Sequence, residues 1–285
     1  LVGLVEAAQA TNPSLEQAVA RISQARAVQV IAGSTALPGV TAIASAMRSS
    51  SGVAANGPAA MSNVSTSLQA AWELDLFGGN RRTREAADAR FIARNIDWHS
   101  ARVSLAAEVA ATYVSLRINQ ALLTGFERDA ASRSETSRLT GLKTDAGFEA
   151  PANAALARAS ASEAAARLTA QRAQVDLDIK ALVALTGLAE SVLRKTLMTD
   201  RVKPPSPARF KVNAIPAAAL AQRADLAAAE RDLAALTAEI GVAEADRYPR
   251  ISLTGSVGYS VSRMAGFTND GATWGFGPSI TVPLF

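Results

Sequence analysis

The chain has 285 residues, of which 63 are alanine, 49% are hydrophobic, 5% aromatic and 19% charged. With no cysteine and a single histidine, His99, it can hold no disulfide framework, Cys-based zinc site, cysteine nucleophile or His-cluster metal site. Its 29 basic and 25 acidic residues leave a net charge of +4 and a pI near 9.7, but they interleave as on solvated helix faces, which argues against a nucleic-acid partner.

So much alanine leaves few large side chains for a compact core and suits long, closely packed helices. No apolar run approaches the roughly 20 residues of a transmembrane helix. The N-terminal stretch from Leu1 to Leu15 lacks Met, a basic region and a small-residue cleavage site. It reads as an excerpt from something longer, not as a signal peptide.

Residues 1–35 read as a helical segment. Asn12-Pro13-Ser14 is a helix-start pattern, and Leu15, Ala18, Val19, Ile22 and Ala25 recur at helical spacing. Pro38 then opens a strand pair over 36–77. Val40 to Met47 is β-branched and small, and a Ser/Gly/Asn-rich loop follows. Strict alternation then places Val64, Thr66, Leu68, Ala70, Trp72, Leu74 and Leu76 on one face. Asn63, Ser65, Ser67, Gln69, Ala71, Glu73 and Asp75 fall on the other.

Gly78-Gly79-Asn80 ends the strand, and from Arg81 to about Asp145 no proline interrupts good helix formers. At 1.5 Å per residue such a helix spans about 95 Å and needs partners along its length. Leu105, Val109, Thr112, Leu116, Asn119, Leu123 and Phe126 form a coiled-coil seam. Val103, Ala106, Ala110 and Tyr113 predict contact on a second side. Ala146 to Pro151 breaks the helix, with Gly147 suited to a left-handed C-terminal position and Pro151 to the first turn of the next helix. That helix runs to Thr186, with Leu168, Val175, Ile179 and Leu182 as its stripe, and Gly187 ends it. The span 78–200 is thus a long antiparallel helical hairpin with its tip near 146–151.

A linker at 201–215 contains Lys203-Pro204-Pro205-Ser206-Pro207. A helix follows over 216–247 and a second strand pair over 248–285. In the first of these strands Ile251, Leu253, Gly255, Val257, Tyr259 and Val261 alternate with small polar residues. Arg263 to Gly271 reads as a loop, and the last strand puts Trp274, Phe276, Pro278, Ile280, Val282 and Leu284 on one face. The order helix, proline, strand, loop, strand therefore occurs twice, at an offset of 211 residues (Leu226 against Leu15, Pro249 against Pro38). The second copy has no helical hairpin within these residues, so on the order of a hundred more are expected after Phe285.

Nothing in the chain could cover the apolar strand faces as a second sheet would. An outer-membrane barrel, with lipid on one side and water on the other, accounts for the alternation. Trp72, Tyr259 and Trp274 are then membrane-interface anchors. Four strands cannot close a barrel alone, because unpaired edges are not tolerated in lipid, so several copies must contribute. A soluble coiled-coil structural or filament protein is the alternative. An enzyme has almost no support: Asp176 and Asp178 face different directions on a helix, Glu73 and Asp75 share a strand face without a partner, and the Gly275-Phe276-Gly277 glycines precede no helix.

The run Trp72-Glu73-Leu74-Asp75-Leu76-Phe77-Gly78, with Arg81-Arg82 after it, resembles the signature of the TolC-like outer-membrane factors, in particular the NodT-like lipoprotein branch serving resistance-nodulation-division pumps. The similarity extends to Ala224–Glu230, Tyr248–Gly255, Trp274–Pro278 and Pro283-Leu284-Phe285, in order along the chain. It implies a mainly α protein with membrane β-structure: a homotrimer with a twelve-stranded β-barrel in the bacterial outer membrane and an α-helical barrel in the periplasm. It further implies passive export of drugs or other small molecules, delivered by an inner-membrane pump through a periplasmic adaptor, with no cofactor. The adaptor-contact tip maps to Lys143, Ala146, Gly147, Phe148 and Arg158. Lumen-facing candidates are Ser65, Ser67, Gln69, Glu73, Ser252, Thr254 and Ser256, and Arg81 and Arg82 fall within reach of lipid headgroups. The family's acylated cysteine would precede Leu1. Where the family has Arg-Pro-Asp-Leu this chain has Arg223-Ala224-Asp225-Leu226, and after the tip Ala152-Asn153 replaces the usual Ser or Thr followed by Asp.

Overall fold

A computed structural model describes residues 1–51, 59–199, 222–264 and 267–284. The linker expected at 201–215 and the first residues of the helix expected from Pro216 lie outside them. The chain divides into two compact units, Leu1–Val19 with Trp98–Leu220, and Ala20–Asp97 with Ala221–Phe285.

The first unit is helical. It holds α1 (Val2–Thr11), the first turns of α2 (Pro13–Ser34), most of α3 (Gly79–Asp145), α4 (Pro151–Thr186) and α5 (Glu190–Thr199). At 67 residues α3 is about 100 Å long. The expected seam is the core: Leu105, Val109 and Leu116 are buried with Val175, Ile179 and Leu182 of α4, and Leu123 packs beside them. Asn119, a polar member of the seam, donates to the buried carboxylate of Asp178 at 2.7 Å, and Ser115 and Gln174 donate to the same group at longer range. An unpaired charge there would be strongly destabilising; supplied with donors, it pins the helix register. Arg172 with Glu127 at 3.3 Å and Arg133 with Ser160 at 2.7 Å continue the antiparallel pairing towards the turn.

Residues 1–35 are not one helix. The chain breaks at Asn12, whose side-chain amide donates to the Leu185 carbonyl at the end of α4 (3.1 Å) while its oxygen accepts from the Ser14 amide (3.0 Å). Asn12 thus caps one helix and opens another. The hairpin also ends earlier than 200. After Gly187 the separate helix α5 returns, buries Leu193 and Leu197 in the core, and is tied to α3 by the buried Arg117, which donates to the Leu197 carbonyl at 2.8 Å. Arg194 bridges Asp176 and Glu190 at 2.7 and 2.8 Å. Hydrogen bonds from Arg194 and then Lys180 hold the Glu190 carboxyl below its usual range.

The second unit joins three helical segments to a sheet of order β1-β2-β3-β4, antiparallel throughout. Its strands are β1 (Gly39–Ser51), β2 (Ala59–Leu74), β3 (Arg250–Met264) and β4 (Phe267–Thr281). The helix of the second repeat, α6 (Ala224–Ala245), has the same 22 residues as α2, and each is followed five residues later by a strand. Both start points are 211 residues apart (224 − 13 and 250 − 39). Within the described residues the second helix starts at Ala224, which stands where Pro13 stands in the first copy. Asp225 in its first turn, bridged to Arg223 at 2.7 Å, complements the positive end of the helix dipole.

Helix contact here is made by alanine. Ala86 and Ala89 of α3 are buried against Ala235 and Ala238 of α6, with Arg90–Glu239 and Arg94–Asp232 pairs beside them. The strand bounds differ from expectation at both ends. β2 stops at Leu74, leaving Asp75 and Leu76 outside it, and most of the loop expected at 263–271 is strand, because β3 and β4 stay paired out to Met264 and Phe267. Val282 and Leu284 lie beyond β4. No helix among the described residues is long and apolar enough to cross a membrane.

Leu116 is fully buried, whereas Val103, on the expected second stripe, is 70% exposed. Leu116→Ala should destabilise the helical unit by about 3 kcal/mol, and Val103→Ala should cost the isolated chain under about 0.5 kcal/mol. Denaturant unfolding followed by circular dichroism measures both.

Candidate functional site

Register decides how the sheet's side chains are shared out, because paired residues point to the same side. Across β1, β2, β3 and β4 one row reads Ala42, Leu68, Val257, Trp274, and the next Val40, Ala70, Gly255, Phe276. Trp72 pairs with Leu253 and Pro278, and Leu74 with Ile251 and Ile280. All are on one apolar face, where Trp274 and Phe276 stack at 6.4 Å and are 76% and 80% exposed.

The opposite face is largely hydroxylic, interrupted on β1 by Ile43 and Met47. Ser45, Ser65 and Ser260 form one row, Thr41, Gln69 and Ser256 another, and Glu73 pairs with Ser252 and Ser279. Ser45 and Ser65 hydrogen-bond at 2.8 Å. Ser65, Ser67, Gln69, Glu73, Ser252, Thr254 and Ser256 all lie on this face. Its charged members, Glu73 and Arg250, stand at the end next to the helices. Gly258 is forced: a Cβ there would come within 2.7 Å of the Thr66 carbonyl and 2.9 Å of the Ser67 Cβ.

Trp72, Tyr259 and Trp274 share the apolar face but not a height. Trp72 is near the helix-proximal end, its indole N–H donating to the Ala36 carbonyl at 3.1 Å. Tyr259 lies towards the far end and donates to Asp270. Trp274 sits midway, level with Val257.

At the turn between α3 and α4, Gly147 has φ +80°, a conformation other residues adopt only with strain. Its amide donates to the Thr144 carbonyl (2.9 Å) and that of Phe148 to the Lys143 carbonyl (2.8 Å), closing the helix end. This leaves Phe148 82% exposed at the apex, with Lys143, Ala146 and Arg158 exposed beside it. No side chain caps α4, which opens on Ala150 with Pro151 in its first turn.

Alternation predicts Asp75 beside Glu73 on the strand face. In the structure its carboxylate instead accepts the amides of Asn80 (3.1 Å) and Arg81 (2.8 Å) at the start of α3. It supplies the negative charge that a helix opening on Arg81 and Arg82 requires. The spacing Asp-x4-Asn-Arg before an uninterrupted helix is the trace it leaves in sequence. Arg82 pairs with Glu85 at 2.6 Å and its stem lies against Gly241. Arg90 and Arg94 are likewise ion-paired, so much of the basic cluster is neutralised locally. Beneath it Phe77 stacks on Tyr248 at 4.7 Å.

A family model described as outer membrane efflux protein matches residues 4–188 and 215–285. The chain belongs to this family. That membership locates it in the bacterial outer membrane. It is 32% identical over 96% of its length to nodulation protein T of Rhizobium leguminosarum bv. viciae, covering 56% of that protein. It is 31% identical over its whole length to the solvent efflux pump outer membrane protein SrpC of Pseudomonas putida, covering 61% of it. Among solved structures, the open state of the Neisseria gonorrhoeae MtrE outer membrane channel matches 99% of the chain and 63% of its own, at 29% identity and a TM-score of 0.72. The chain spans about three-fifths of the length of the curated relatives it matches. None of these matches supports the soluble filament reading.

Asp75→Ala should remove about 1 kcal/mol of helix-cap stabilisation. Hydrogen exchange should show faster exchange confined to the first turns of α3, with the seam around Leu116 unchanged.

Proposed function

We propose that this protein is the outer-membrane component of a tripartite efflux system. Three copies place four strands each in one twelve-stranded barrel, with the apolar face on lipid and the hydroxylic face on a water-filled lumen. The helices extend into the periplasm as an α-helical barrel. The complex is a passive duct for drugs or other small molecules, handed over by an inner-membrane resistance-nodulation-division pump through a periplasmic adaptor, and it performs no chemistry of its own. The observation that carries this reading is the division of four strands into an apolar face and a largely hydroxylic one, with outer edges that have no partner among the described residues. Relatives named as solvent and toluene efflux pump proteins support the class of cargo.

On this reading Ser65, Ser67, Gln69, Glu73, Ser252, Thr254 and Ser256 line the lumen. Trp72 and Tyr259 stand near the two limits of the apolar band, where amphipathic rings are favoured. Trp274, level with its middle, serves as a lipid-facing ring and not as an anchor. Gly147 and Phe148, flanked by Lys143, Ala146 and Arg158, are the adaptor contact. Arg81 stands at the inner rim of the barrel, within reach of headgroups. Arg82, paired with Glu85, contributes less.

Two measurements test this. Nitroxides at S252C and L253C, in a chain otherwise free of cysteine, should respond oppositely: position 253 to lipid-soluble oxygen, position 252 to a water-soluble nickel complex. Equal responses would refute the two-sided wall. At the tip, G147V and F148A should weaken crosslinking to the adaptor by about tenfold while the trimer still assembles. Unchanged crosslinking would move the contact elsewhere.

A further inference from the structure

The apolar face has a charged border. Arg48 of β1, Ser62 of β2 and Arg263 of β3 are successive partners in one row, continued by Thr268 of β4. Residue parity puts this row on the same side as Leu68, Val257 and Trp274. It is the first row beyond the band that runs from Ile251 to Val261, about 33 Å along the strand. With strand tilt that length matches the ~25 Å apolar height of an outer-membrane barrel. The two arginines are two strand spacings apart, about 10 Å, so both guanidinium groups can reach one polyvalent anion. Both are exposed. Arg48 has no ion-pair partner among the described residues, and Arg263 spends only its Nε, on the Thr268 hydroxyl at 3.3 Å. The acid closest in register is Asp270, paired with Val261 in the last row of the band, and it is engaged by Tyr259.

We infer that Arg48 and Arg263, with the Ser62 hydroxyl between them, bind the phosphate-bearing headgroup of an anionic lipid in the leaflet farther from the helices. The inference rests on the barrel reading above. A lone arginine on a lipid-facing rim needs only water, but two flanking a hydroxyl present several N–H donors to phosphate oxygens in the forked geometry that phosphate favours. The apolar rows directly beneath accept the acyl chains of the same lipid. The site is separate from Arg81 and Arg82, which stand at the opposite end of the sheet.

The test uses the full chain labelled with a bimane at A46C, one row inside the arginines on the same face. It is reconstituted in phosphatidylcholine vesicles containing a minor share of either phosphatidylglycerol or phosphatidylcholine carrying an acyl-chain nitroxide. The labelled phosphatidylglycerol should be enriched at the bimane about fivefold or more over the labelled phosphatidylcholine. R48Q/R263Q should abolish the preference, R48K/R263K should retain part of it, and R81Q/R82Q should leave it intact. Equal quenching by both lipids in the unaltered chain would overturn the site while leaving the barrel reading in place. A preference that survives R48Q/R263Q would do the same. Absence of quenching by either lipid would overturn the barrel reading and the site with it.

Discussion

A four-stranded antiparallel sheet with hydrocarbon on one face and hydroxyls on the other cannot satisfy itself. The outer edges of β1 and β4 expose rows of amide and carbonyl groups, and in lipid each unpaired group costs several kcal/mol. The faces set the complementary demand, since Trp274 and Phe276 project almost wholly into the surroundings and no described residue covers them. Closing the edges with further copies while lipid takes one face and water the other meets both demands together. The same incompleteness is visible in the helices. Val28, Val30 and Ile31 on α2, and Leu233, Leu236 and Ile240 on α6, remain exposed in the single chain, as expected of walls awaiting lateral neighbours.

Within the chain, cohesion comes from two different kinds of contact. In the helical unit a seam of large aliphatic groups is buried around Leu116, Ile179 and Leu182. Next to the sheet, Ala86, Ala89, Ala235 and Ala238 meet directly, so the helices come close and bury little area per residue. The accompanying ion pairs are between a third and a half exposed, where such pairs contribute under about 1 kcal/mol each. Their value is in fixing which residues face one another. That division suits a wall one helix thick, which has two wet surfaces and no interior to fill.

Much of this was legible beforehand because it depends on local periodicity. The coiled-coil seam, the two-sided strands, the Gly147 turn and the 211-residue repeat each follow from spacings within a few residues or from their recurrence. What periodicity could not reveal were residues whose partners lie far off in the chain. Asn12 breaks a helix by capping the end of α4, some 173 positions away. Arg117 looks like an ordinary charged position until α5 folds back to offer it the Leu197 carbonyl. Asp75 continues the alternation of β2, yet capping the amides of Asn80 and Arg81 in the first turn of α3 outweighs one more rung of sheet. The β3–β4 connection is shorter than the sequence suggests for a related reason: the small and polar residues between Arg263 and Gly271 look like turn, but pairing between the two strands carries most of them into the ladder.

The sequence by itself determined the kinds of element, their order, their repetition and the chemistry of each strand face, because these are set by propensity and by periods of 2 and 3.6. Only the tertiary structure decided which rows align across β2 and β3, and hence that Arg48 and Arg263 border one face and that Trp274 stands at mid-height. A shift of one residue in that register would have sent every side chain of a strand to the opposite side. The choice is made by packing and hydrogen bonding between segments distant in sequence, which no local pattern encodes.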